Sequence, residues 1–175
     1  MKRIALTGGI ACGKSLLAKY LKDIGVEILD ADDVVHELIP EDERRRLAKI
    51  VFRDPAARKA LEERVHPLVE ARIEEFFSAP PGQSIRIAVV PLLFEVHWDG
   101  KYDIICCIAS SREKQIERMV ETRGYSREEA TARLSAQMPA DEKAAKSHYA
   151  IRNDGTPEEL RIEAERLVGW LRANG

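Results

Sequence analysis

Ile4-Ala5-Leu6-Thr7-Gly8-Gly9-Ile10-Ala11-Cys12-Gly13-Lys14-Ser15 is the stretch that decides how this chain folds. A short apolar segment, residues 4–7, runs into glycines, and Leu17, Tyr20, Leu21 and Ile24 then recur at helical spacing until Gly25 stops the helix. Between strand and helix, Gly8 to Ser15 satisfies G-x-x-x-x-G-K-[ST], in the context that this phosphate-binding loop requires. Glycines let the backbone curl until successive N–H groups point inward, and the positive N-terminal end of the helix adds to their pull on an anion. Gly8, Gly9, Ile10, Ala11, Cys12 and Gly13 are therefore expected to cradle the phosphates of ATP. Lys14 is expected to reach the β- and γ-phosphates, and the Ser15 hydroxyl to ligate magnesium. Cys12 is expected to lend only its backbone amide.

Outward from the loop, strands and helices alternate. Residues 26–29 read as a second strand, and the Ile- and Val-rich runs 85–93 and 102–109 as strands buried on both faces. A last short strand is expected at 148–151. Capping-box spacing marks three helix starts: Ser110 with Glu113, Ser126 with Glu129, and Thr156 with Glu159, the last with Pro157 at its first position. A charged helical hairpin spans 111–139 and turns at Gly124. Residues 42–77 read as two or three helices, with Asp54-Pro55 opening one and His66-Pro67 kinking or breaking it. The class is α/β: a P-loop NTPase-type three-layer α/β/α arrangement around a mostly parallel central sheet.

The 175 residues suit one domain, 1–175, with a real core. Hydrophobic residues make up 45% and charged residues 33%, and the net charge of −2 gives no hold on a nucleic-acid backbone. Small anionic ligands are expected, and no nucleic acid. The longest apolar run, Ile87 to Phe94, is too short for a bilayer and contains Pro91, so no membrane partner is expected. Cys12, Cys106 and Cys107 form neither a disulfide framework nor a metal spacing, which suits the cytoplasm. A monomer or weak homo-oligomer is expected.

Neither N/T-K-x-D nor D-x-x-G occurs, which argues against a signalling GTPase. At the end of the second strand stands Asp30-Ala31-Asp32-Asp33, where parallel sheets bind ligands. A carboxylate there can take the proton that an attacking hydroxyl must lose. The alternative is that Asp32 or Asp33 caps the next helix.

The ordered series Ile4 to Ser15, Asp30-Ala31-Asp32, Val65-His66-Pro67-Leu68-Val69, Pro91-Leu92-Leu93-Phe94-Glu95, Gln115-x-x-Arg118 with Arg123, Arg133-x-x-x-Gln137 and Ile151-x-Asn153-x-Gly155 resembles the dephospho-CoA kinase family across nearly the whole chain. The resemblance implies transfer of the γ-phosphate of ATP to the ribose 3′-hydroxyl of dephospho-CoA, the last step of coenzyme A synthesis, with Asp32 as base. It also implies a core at about 1–35, 84–110 and 147–175, a helical acceptor-side subdomain at about 36–80 and a helical lid at about 111–139. Thr7, Arg44, His66, Pro67, Leu92 and Glu95 would then serve the acceptor, Arg118 and Arg123 would meet phosphate charge from the lid, and Asn153 and Gly155 would pass near adenine. Two places depart from the family. Ile39-Pro40-Glu41 joins directly what is usually a longer acceptor-side stretch, and Ser147-His148 stands where Ala-Asp is common. A kinase for another small acceptor such as a nucleoside monophosphate, or a non-catalytic ATP-binding regulator, are the rival readings.

Overall fold

The apolar runs become five strands, β1 (Ile4–Gly8), β2 (Glu27–Asp30), β3 (Arg86–Val89), β4 (Ile104–Ala109) and β5 (Tyr149–Arg152). They lie in the order β2-β3-β1-β4-β5 in a computed structural model that describes residues 2–41, 43, 54–80 and 85–174. β1 pairs in parallel with β3 and with β4, and β4 with β5; Leu6 sits between Val89 and Cys106. β1, β3 and β4 are buried along their whole length, so both faces are covered, as their unbroken apolar sequences require. Buried Arg86 is accommodated because its Nε donates to Glu27 Oε2 at 3.0 Å.

The helices, in chain order, are α1 (Lys14–Asp23), α2 (Ala31–Leu38), α3 (Pro55–Ser78), α4 (Arg112–Arg123), α5 (Arg127–Ser135), α6 (Ala140–Ala145) and α7 (Pro157–Asn174). Two compact units result, Met1–Ile28 with Gln83–Gly175, and Leu29–Gly82. In the first, α7 buries Leu160, Ala164, Leu167, Val168 and Leu171, a single helical stripe, and packs on α1. α6 packs on β4, β1 and β5.

β3 stops at Val89 and not near Leu93, the end read from the apolar run. The Val90 N–H still donates to the Leu6 carbonyl at 2.9 Å, but Pro91 has no N–H to continue the ladder. The chain then turns: Val96 N–H donates to Leu92 O at 3.0 Å and Trp98 N–H to Leu93 O at 2.9 Å. β4 likewise begins at Ile104, after a 3₁₀ turn at Asp99–Lys101.

The capping boxes of α5 and α7 form as expected. Ser126 Oγ accepts from Glu129 N–H at 3.1 Å while Glu129 accepts from Ser126 N–H at 2.9 Å; Thr156 and Glu159 do the same at 3.2 and 2.7 Å. The third is displaced by one residue: the cap of α4 is Ser111, which accepts from Lys114 N–H. Ser110 is buried at the end of β4 and donates instead to the Asn153 carbonyl at 2.6 Å. At the entry to β5, His148 Nδ1 accepts from Ile105 N–H at 3.0 Å, so the imidazole supplies the acceptor that an Asp side chain could supply there.

In the second unit Asp30, and neither Asp32 nor Asp33, caps α2, its carboxylate accepting from Asp32 N–H at 2.9 Å. Asp54 caps α3, as the sequence suggests. The helix nonetheless runs unbroken through Pro67. A proline inside a helix costs about 3 kcal/mol, whereas burying one aliphatic side chain stabilises by about 2 kcal/mol. Val65, Val69 and Ile73, spaced four apart and buried, outweigh it, and α2 packs on α3 with Ala31 and Val34 buried. Pro67 itself lies on the exposed face. The stretch read as helix around Arg44 lies outside the described residues.

Candidate active site

At the carboxyl end of β1 the chain leaves the sheet through Gly8, whose place beside β4 admits no side chain: a Cβ would lie 2.3 Å from the Ile108 carbonyl oxygen. Ala11 takes a positive φ of 57° and Gly13 one of 98°, and α1 begins at Lys14. The loop thus delivers its last amides to the N-terminus of a helix, where orphan N–H groups and the helix dipole favour an anion. Lys14 Nζ folds back over the loop and donates to the carbonyls of Gly8 at 2.9 Å and Gly9 at 2.8 Å. Ser15 is exposed in the first turn of α1.

Three side chains hold the loop from outside. Gln115 Nε2 donates to Ile10 O at 2.6 Å, Arg118 Nη1 to Ala11 O at 3.3 Å, and Asn153 Nδ2 to Cys12 O at 2.8 Å. Arg118 also donates to Ser110 Oγ at 3.0 Å and to Asn153 O at 2.9 Å. Ile116, Met119, Ala130 and Leu134 form a small core inside the α4–α5 hairpin, and Ile10 and Ala11 pack against it. The hairpin is therefore fastened to the loop through α4. Arg123 is exposed at the far end of that helix, and Gly155 is exposed beyond β5.

Cys12 is fully buried, and desolvation pushes its thiol up against the opposing influence of the Lys14 charge. Burial drives the neighbouring thiols of β4, Cys106 and Cys107, up to about 12. All three stay protonated at neutral pH, so none is poised as a nucleophile.

Behind the loop, Thr7 Oγ1 donates to Pro91 O at 3.2 Å, and Lys143 Nζ donates to the same carbonyl at 2.8 Å. Lys143 also pairs with Glu95 Oε1 at 2.8 Å, and Glu95 accepts from Met138 N–H at 3.1 Å. Thr7 and Glu95 are thus joined through the turn after β3, with Leu92 half-buried in it. The sequence reading did not single out Lys143 or foresee α6. It grouped Gln115 with Arg118 but gave Gln115 no role; their spacing of three along a helix, which places both on one face, was the available signal.

Asp32, His66 and Pro67 belong to the second unit: Asp32 is exposed in the first turn of α2, and His66 and Pro67 lie midway along α3.

A family model described as dephospho-CoA kinase matches residues 2–43 and 41–159. The two stretches meet beside Ile39-Pro40-Glu41, where the acceptor-side region reads as shortened. A dephospho-CoA kinase of Anaeromyxobacter dehalogenans is 35% identical, covering 98% of this chain and 93% of its own. A crystal structure from Thermus thermophilus superposes with a TM-score of 0.81 at 33% identity, covering 97% of each chain. Dephospho-CoA kinase from Campylobacter jejuni, at 24% identity with 99% and 98% covered, shares the fold with a TM-score of 0.73.

Proposed function

Since the chain belongs to the dephospho-CoA kinase family, we propose that it transfers the γ-phosphoryl group of ATP to the ribose 3′-hydroxyl of dephospho-CoA, completing coenzyme A. The observation that carries this reading is the loop Gly8 to Ser15, braced between β1 and α1 with Lys14 folded over it. Phosphoryl transfer needs little covalent chemistry from a protein; it needs positioning and a matched field for charge spread over the moving oxygens. Lys14 and the loop amides supply that field. Mg2+ takes one or two protein oxygens and otherwise phosphate and water, so a single exposed hydroxyl, Ser15, fits as its protein ligand. Ser15 would hold the ion, which would supply neutralisation of the phosphate charge during transfer.

Asp32 receives the proton of the attacking hydroxyl. It stands just past the carboxyl end of a strand, and Asp30 already caps α2, which leaves the Asp32 carboxylate free of that duty. Asp32→Asn is expected to leave ATP affinity unchanged while kcat falls about a hundredfold. Titration calorimetry alongside initial rates checks this, and normal turnover would remove Asp32 as base. Thr7, Leu92, Glu95, His66, Pro67 and Arg44 are assigned to the acceptor side, and Arg123 and Gly155 to the nucleotide.

A coupled assay with dephospho-CoA, ATP and magnesium tests the whole reading. Turnover on nucleoside monophosphates with none on dephospho-CoA would give another acceptor, and tight ATP binding without transfer to any acceptor would give a regulator. Among the described residues no helix is long and apolar enough to cross a membrane. The reading places the protein in the cytoplasm as a monomer or weak homo-oligomer.

A further inference from the structure

Gln115 and Arg118 lie on α4 and Asn153 follows β5, yet together they bond three successive carbonyls, those of Ile10, Ala11 and Cys12. A trans peptide is planar, so its N–H points away from its own C=O, and no described peptide bond is cis. Holding these three oxygens on one side of the loop therefore turns the N–H groups of Ala11, Cys12 and Gly13 to the other side. Successive amides turned the same way are what binds an anion. The Cys12 N–H makes a long bond, 3.4 Å to Gly9 O, which a phosphate oxygen can replace.

The glycines of the motif carry the same imprint. A Cβ on Gly9 would lie 2.6 Å from Gln115 Nε2, and one on Gly13 would lie 2.4 Å from Asn153 Nδ2. The two primary amides fill the places that side chains at 9 and 13 would take. Gln115 is 4% exposed and Asn153 6%. Polar groups so deeply buried are costly unless bonded, and the loop carbonyls give them their acceptors. Arg118 joins the two by bonding Ala11 O and Asn153 O with one guanidinium.

We infer that Gln115, Arg118 and Asn153 are positioning residues that preset the loop amides for a triphosphate by holding the carbonyls of Ile10, Ala11 and Cys12 outward. This rests on the phosphotransfer reading above. For Arg118 and Asn153 it replaces the roles that the resemblance implies, at the phosphate charge and near adenine, because both side chains are turned to main-chain oxygens: their loss changes how strongly the loop grips phosphate, whatever the nucleoside.

Gln115→Met keeps the volume of the side chain and deletes the donor; Asn153→Ser deletes the second donor and keeps the main-chain bonds of that residue. The full-length chain is titrated by calorimetry with magnesium-ATP and, separately, with inorganic tripolyphosphate, and melting is recorded for each variant. Each variant is expected to bind both ligands about tenfold more weakly, by equal factors, with KM for ATP raised more than kcat is lowered. Unchanged affinity in a folded variant with a lowered melting temperature overturns the inference, because the bonds would then only hold the fold. A loss seen with ATP and absent with tripolyphosphate overturns it too, because the side chain would then serve the nucleoside. Should Gln115→Met not fold, Asn153→Ser carries the same two readings. Wild-type protein that binds triphosphate but does not phosphorylate dephospho-CoA sinks the acceptor assignment and leaves this inference standing.

Discussion

Replacing Lys14 with alanine is expected to lower kcat/KM for phosphoryl transfer about a thousandfold, the scale on which loss of one preorganised donor to a developing anion is felt. The ammonium already sits over the loop, 2.9 Å from Gly8 O and 2.8 Å from Gly9 O, so little reorganisation separates it from an incoming phosphate. The fold should not notice its loss. Lys14 is only partly buried, at the start of a helix anchored by Leu17 and Leu21, and alanine is the best helix former. Initial rates and a thermal melt on the same preparation check both halves. Turnover within tenfold of wild type would assign the charge stabilisation to other groups.

Lys143→Met is expected to destabilise the protein by about 3–5 kcal/mol, the cost of stripping one partner from a buried ion pair. Lys143 is 0% exposed and ties α6 both to Glu95 and to the Pro91 carbonyl. Although 22% of the Glu95 side chain remains exposed, its Oε2 is itself buried and has no hydrogen-bond partner among the described residues. Removing the ammonium leaves that carboxylate with the Met138 N–H bond and without its Lys143 countercharge. Against a total stability of about 5–15 kcal/mol for a domain, the loss is large. Urea unfolding measures it, and adding Glu95→Gln should recover part of it by removing the stranded charge. A loss below about 1 kcal/mol would show that Glu95 reaches water, as pairs at a surface do.

What could be read in advance follows from how local each cause is. The phosphate loop, and the capping boxes at Ser126 and Thr156, are contiguous in sequence, and their physics is settled within a few residues. The cap of α4 was misplaced because Ser110 and Ser111 are both competent, and the choice falls to a carbonyl at position 153. Pro67 and Pro91 show the two faces of one residue. In α3 a buried stripe overrides the lost bond, whereas in β3 the missing donor ends the ladder. Lys143 was invisible for a further reason. On a short polar segment a lysine reads as a solvated charge, and only the packing of α6 on the sheet puts it inside. Gln115 was named by its motif, but its task depends on a contact 105 residues away in sequence.

That reach has a bearing on how the loop can vary. A Cβ at 9 or 13 would press on the amide heads at 115 and 153, so a side chain entering either place must displace a group that is holding a loop carbonyl, and at 13 the φ of 98° adds a strain of its own. What a change in the most recognisable stretch of this protein would cost is therefore set partly by two residues that no local inspection of that stretch would nominate.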